Sequence, residues 1–436
     1  MKTQTAFLLC GLLAPGAGLT HAQGDSTITG YVSRAISASD FDVNGLRVLC
    51  TGETKGVAKS AHGEKGAAVT CPGDPPPYVG EGMSVRYSGV VIDNTVHATR
   101  IDRRPMPRPG EVSGSAVIDA PPASEEAKGS GLVLRADGYR IRITAETKIE
   151  WRPPLQSLTN VKAGDWIKYK GKLDAARVLV AASVQIGPIE IGSGEEKLRE
   201  KGDYDPSAVP ADAKQNYVKD VFRGGLDPKE FPPFKDAEMQ ARVEKIGNSL
   251  VPAYQLNLPD SGPAKINFRF QVVDNKHFCS LIPCEAFTLP NGIILVPHQI
   301  VDRMQNDSQL AAFLADGIAR ALERQEYRTE RTIKVARASQ LAAPFAPYAG
   351  LGLSSGGLVA LDIQTREMQQ RDRVSLTLLR DAGYEIDQAP IAWWLLASGE
   401  PKPLTDIDMP DRTAYLYLVL GELWHDPVVT SNNTNP

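Results

Sequence analysis

The chain has 436 residues, 42% of them apolar, and a formal net charge of -4 from 48 basic and 52 acidic side chains. That length suggests two to four domains with real apolar cores. Charges of both signs are interspersed, and no basic patch interleaved with aromatics occurs, so nucleic acid is not an expected partner.

Residues 1–22 read as a secretory signal: Lys2 precedes a mostly apolar stretch from Ala6 to Leu19, and Thr20-His21-Ala22 forms a small-x-small cleavage site. A spanning helix needs about 20 apolar residues. Neither this stretch, broken by Pro15, nor any later one supplies them. The expected product is an exported soluble protein, periplasmic or secreted, without a transmembrane helix. Beyond the signal remain Cys50, Cys71, Cys279 and Cys284. An even number in an exported chain favours two disulfides, and proximity in sequence suggests Cys50–Cys71 and Cys279–Cys284. The alternative is four reduced thiols; the spacings are too scattered for a metal set.

An internal repeat organises the front half. Gly82-Met83-Ser84-Val85-Arg86-Tyr87-Ser88-Gly89 aligns with Gly164-Asp165-Trp166-Ile167-Lys168-Tyr169-Lys170-Gly171 at both glycines and the tyrosine. An alternating segment follows each copy, Thr95–Ile101 and Val178–Ile186, and a hairpin signal precedes each, Asn44-Gly45 and Asp137-Gly138. Short alternating strands between turns predict two small β-barrels, at 26–104 and 110–188, joined by the Pro-rich stretch Arg103–Pro109. The pattern is similar to a module of unknown function found in tandem in exported bacterial proteins. No aromatic cluster marks a sugar platform, so the barrels are binding modules or spacers.

Residues 189–235 are polar and rich in Pro and Gly, and read as a linker in which Glu195–Lys201 forms a solvated helical turn. Residues 236–428 form a back domain. Met239, Val243, Ile246 and Leu250 fall on one helix face, and Phe268–Val273 alternates as a strand. Trp393-Trp394-Leu395-Leu396 reads as a core helix. The histidines His62, His97, His277, His298 and His425 are scattered, and no G-x-S-x-G elbow or phosphate loop in strand–turn–helix context occurs.

Two segments carry a resemblance. Glu285-Ala286-Phe287-Thr288-Leu289-Pro290-Asn291-Gly292-Ile293-Ile294 precedes the Ala/Leu-rich stretch Asp307–Leu322, and Met368-Gln369-Gln370-Arg371-Asp372 is followed by Ala382-Gly383-Tyr384. In this order they resemble the HtpX-type zinc metallopeptidases, metallopeptidase family 48, over roughly the last 190 residues. That family reads N-A-F-x-L-P-x-G-x-I, then a helix with H-E-x-x-H, then E-x-x-A-D and A-G-Y. The resemblance implies a gluzincin-like α+β domain behind the two all-β barrels.

The chemistry of the family is missing. H-E-x-x-H sets two imidazoles on one helix face around zinc, with the Glu as general base. Here the stretch is Asp316-Gly317-Ile318-Ala319-Arg320, the third-ligand position holds Met368, and Met409-Pro410-Asp411-Arg412 stands where the family often has H-P-x-x-x-R. The expected function is an exported pseudo-metallopeptidase that binds protein or extended peptide without cleaving it, with no catalytic residue and no cofactor. The strand around Phe287, Leu289, Gly292, Ile293 and Ile294 is the candidate peptide-binding strand. Arg320 is expected to sit in the vacated site as a charge partner of Asp316 and Asp372. The alternatives are an active zinc endopeptidase with a shifted ligand set, such as Asp316, Glu367 and a distant His, and a structural envelope protein.

Overall fold

The computed structural model describes residues 26–58, 67–70, 81–104, 111–124, 131–201, 231–274, 287–328, 352–398 and 411–425, apart from positions 38, 44, 94 and 326. The signal segment, the linker at 105–109 and Cys71, Cys279 and Cys284 lie outside these residues. Among the described residues no helix is long and apolar enough to cross a membrane.

The first barrel contains β1 (Ser26–Ala35), β2 (Asp40–Val43), β3 (Leu46–Ala58), β4 (Ala67–Thr70), β5 (Ser84–Ile92) and β6 (Thr95–Arg104). Five strands close in the order β2-β1-β5-β6-β3, because β2 also pairs with β3; β4 adds to β3. The second contains β7 (Val112–Ser124), β8 (Leu132–Ala136), β9 (Tyr139–Ile143), β10 (Lys148–Trp151), β11 (Trp166–Leu173) and β12 (Leu179–Gly187). It closes as β12-β11-β7-β8-β9 through a β12–β9 pairing, with β10 added to β12. The two rings share one topology, including a parallel closure, β3 with β6 and β9 with β12.

The repeat is physical as well as textual. The register slips between Ser88 and Gly89 in β5, and between Lys170 and Gly171 in β11. A Cβ at either glycine would lie 2.3 Å from a carbonyl oxygen of the next strand, that of His97 or Val180. The bulge therefore requires glycine in both copies. Tyr87 and Tyr169 are both buried. Asp137 and Gly138, at φ 56° and 71°, give the tight turn that the Asp-Gly pair predicts. A further matching pair went unread in sequence. Thr54 and Thr147 each donate their hydroxyl across the barrel, to the carbonyls of Ala98 (2.6 Å) and Ala181 (2.8 Å).

The back domain starts from α1 (Ser193–Lys201), then α2 (Ala237–Leu250) and α3 (Ala253–Asn257). Asp236 caps α2 by accepting from the Met239 amide. Its strands β13 (Arg269–Val273), β14 (Phe287–Thr288) and β15 (Ile293–Pro297) form a mixed sheet in the order β13-β15-β14. Then follow α4 (His298–Arg303), α5 (Asp307–Leu322), α6 (Gly352–Asp381), α7 (Gln388–Ser398) and α8 (Asp411–Leu423). Helix α5 is buried along nearly its whole length, among α2, α6, α7 and the sheet. Trp393 and Trp394 on α7 belong to the core, as expected. The chain is thus multidomain: two all-β barrels precede a domain of helices around a small sheet.

Helix α1 departs from the solvated turn expected of it. Glu195 is buried and pairs with Arg324 and with Arg199, so the helix is docked onto the back domain. Both barrels dock there too. The Asp137 hairpin tip meets α6, where Arg373 donates to the Asp137 carboxylate (2.6 Å) and carbonyl (3.1 Å) and lies over the Tyr139 ring. Tyr169 donates to the same carboxylate, and Gln370 to the Ser115 carbonyl. Burial pushes the Glu323 carboxyl, which accepts from the Val117 amide, well above its usual range. The first barrel meets α8, where His425 bridges Glu81 of the barrel (2.6 Å) and Asp387 (2.8 Å).

The hydrogen bonds to Asp387 and Glu81 raise the His425 pKa to about 10. An unfolded-state value near 6.5 sets the window. The bridge contributes fully below that pH, weakens as the unfolded chain alone loses its proton, and is gone above about pH 10. The thermal stability gap between the parent and His425→Ala should follow this course from pH 6 to pH 10. A gap that is constant or widens with pH would show that the bridge is not the contact at work.

Candidate functional site

Helix α5 carries Asp316 and Arg320, and residues of α6 and α8 reach the same place. Asp316 lies midway along α5 at 2% exposure, and Asp372 lies on α6 at 0%. The guanidinium of Arg412, at the start of α8, sits between them. Its Nη2 donates to Asp316 Oδ1, and its Nε (2.9 Å) and Nη2 (2.6 Å) both donate to Asp372 Oδ1. The same guanidinium lies 3.5 Å from the ring centroid of Trp393 on α7. Arg371 Nη1 stands 3.6 Å from Asp316 Oδ2.

The cluster therefore sets two carboxylates against two guanidiniums. Burial pushes Asp316 up, but the charges of Arg371 and Arg412, with Arg320 beyond, hold it below the usual carboxylate range. Asp372 goes the other way. Burial raises its pKa, and Arg412 only partly offsets this. Its Oδ2 is buried and accepts no hydrogen bond from the protein.

Part of the expected arrangement needs correction. Asp316 and Asp372 do converge, but the cation forking to both is Arg412, whereas Arg320 is half-buried and acts on Asp316 through its field. The reason is geometric: Arg412 stands in the first turn of α8, where its one guanidinium reaches an acid on α5 and another on α6. The signal in the sequence is the cation of Met409-Pro410-Asp411-Arg412, which stands beside the position of the absent histidine.

The residues present do not fit a zinc ion. A guanidinium stands between the two acids, and Gly317 is closely packed. A Cβ there would lie 3.0 Å from Thr288 Oγ1 and 3.1 Å from a methyl of Ile294. Among the described residues no three His, Cys, Asp or Glu side chains could hold a metal. Glu367 is buried one turn before Arg371, where its carbonyl accepts from Gln325. Met368 is half-buried beside it. His298 stacks on Phe234 at 4.0 Å and pairs with Asp302, a structural arrangement.

The candidate peptide-binding strand is also redistributed. Ile293 and Ile294 lie in β15, the middle strand, paired on both sides and unable to accept another chain. Gly292 forms the turn at φ +92°, and Leu289 is buried in it. Among the described residues the edge consists of Phe287 and Thr288 in β14. The opposite edge, β13, is covered: Gln240 bonds the Phe270 carbonyl and the Val272 amide, and Phe234 donates to the Val272 carbonyl.

Arg412→Ala would leave two buried acids facing a gap. Breaking a buried pair in this way costs about 3–5 kcal/mol. Urea unfolding should show a loss of that order for Arg412→Ala. Asp316→Asn with Asp372→Asn should recover much of the Arg412→Ala loss. A loss under about 1 kcal/mol at 412, or no recovery, would refute the assignment of Arg412.

Of the whole chain, residues 125–185 match the family model of a domain of unknown function, DUF5666. The match falls on most of the second barrel, from β8 to β12. No curated protein matches the sequence.

Proposed function

We propose that the back domain is a degenerate relative of the HtpX-type metallopeptidases and that the protein is an exported pseudoenzyme, binding protein or extended peptide without hydrolysing it. The observation that carries this reading is the Arg412 guanidinium between Asp316 and Asp372, where the resembled family holds a divalent cation. A fixed cation there keeps helices α5, α6 and α8 together without offering the open coordination site that hydrolysis needs. Gly317, at the position of the general base in the resembled family, carries no side chain to take a proton, and a Cβ there would make tight contacts with Thr288 and Ile294. What remains of a substrate-binding surface is the β14 edge, whose backbone suits strand addition.

The test uses the full chain purified without chelator. Elemental analysis should find no stoichiometric zinc, and unfolded β-casein should bind without being cut. Thr288→Pro should weaken that binding, because proline removes an edge amide. One zinc per chain, removed by chelator together with proteolysis, would overturn the pseudoenzyme. Intact fold with no casein binding would overturn the peptide-binding role.

Export rests on the signal at 1–22 and on the cysteines. Cys50 is disulfide-bonded. In protein recovered from an oxidising compartment, peptide mapping should find Cys50–Cys71 and Cys279–Cys284, with each short loop contributing about 2–4 kcal/mol. Free thiols at these positions, or pairing between domains, would refute this arrangement.

A further inference from the structure

A cleft of about 430 Å³ opens between α1 and the start of β13, lined by Arg199, Glu200, Lys265, Asn267, Arg269 and Asn291. Among the described residues, the cations Arg199, Lys265 and Arg269 line it together with Glu200. Two of the three are set into the protein rather than extended from it. Lys265 is 11% exposed, and its ammonium is anchored on the Gln255 carbonyl at 2.7 Å. Gln255, itself buried, fixes the loop that carries Lys265 by donating to the Ala264 carbonyl and accepting from the Ile266 amide. Arg199 is 19% exposed, and it donates to Glu195 and to the Pro263 carbonyl.

Neither embedded cation has a full counter-charge. Glu195, the partner of Arg199, is shared with Arg324, which holds it by a forked contact from the other side. The ion pair of Lys265, with Asp260 at 3.9 Å, reaches a side chain that is 93% exposed. The Nε of Arg199 is buried without a hydrogen-bond acceptor. Holding under-compensated cations out of water is costly unless an anion completes the set. Burial depresses the Arg199 pKa, and the nearby charge of Arg324 adds to this, as expected of a cation short of negative charge. The two Asn side chains add amide donors to the rim.

We propose that this cleft binds a multivalent oxyanion, the phosphate or polycarboxylate group of a small ligand, with Arg199, Lys265 and Arg269 as its cationic contacts. The site is separate from the Arg412 cluster and from the β14 edge, and it stands whether or not the back domain binds peptide.

Calorimetry on the full chain at constant ionic strength tests it, with inorganic pyrophosphate and citrate as probes. Pyrophosphate should bind once per chain with a Kd below about 1 mM. Arg269→Glu, on an exposed side chain, and Lys265→Gln should each weaken it at least about tenfold. Lys168→Glu, the same charge change on the second barrel, should leave it unaltered. Circular dichroism checks the fold of each variant; if Lys265→Gln does not fold, Arg269→Glu decides. Citrate binding with the same dependence includes polycarboxylates in the ligand class, and its failure narrows the class to phosphates. Absence of pyrophosphate binding would overturn the proposal. So would binding indifferent to Arg269→Glu, or weakened equally by Lys168→Glu, which would mark diffuse surface charge.

Discussion

The guanidinium of Arg412 is the contact on which the back domain depends. It joins α5, α6 and α8 through Asp316 and Asp372, and its face rests on Trp393 from α7. Four helices thus meet at one planar cation. The geometry suits arginine in particular: the fork serves two carboxylates, while the flat face needs an aromatic ring. A lysine would supply the charge but neither the fork nor the stacking. Charge balance also constrains the neighbourhood, since Asp372 keeps one buried oxygen without a hydrogen-bond donor, and loss of Arg412 would leave it further uncompensated.

Much of the fold was legible because local rules set it. The hairpin turns, the glycine bulges and the matching tyrosines repeat at fixed spacing, and each follows from backbone sterics that two copies share. The buried face of α2 was readable from the apolar stripe Met239, Val243, Ile246 and Leu250. The site was only half legible. That two acids would need a cation follows from the cost of buried charge, but Arg320, Arg371 and Arg412 all lay within plausible reach. The choice depends on where the first turn of α8 stands, which no local pattern encodes. The linker reading failed for a similar reason. Glu195–Lys201 is polar enough to be solvated, yet Glu195 finds two arginines distant in sequence or one turn away.

The candidate strand illustrates a limit of motif reading. The stretch from Phe287 to Ile294 is one motif in sequence but splits into an edge strand, a turn and a central strand in space. Hydrophobicity did not separate the two strands, because the middle one is buried on both faces and the edge one packs on α5 through Thr288. Sheet order, a tertiary property, decides which backbone is free to pair.

The two barrels share a topology, but they attach differently. The second presents its Asp137–Gly138 tip to α6, with so little clearance that a Cβ at Gly138 would meet the Arg373 backbone at about 2.7 Å. The first meets α8 at the turn before β5, where Gly82 abuts Leu418. In sequence the first copy carries Asn44 at the position matching Asp137. An amide there could not return the charge of Arg373, which is buried and held by the Asp137 carboxylate. A shuffled protein with the first barrel in second place would therefore leave that guanidinium in the seam without its carboxylate.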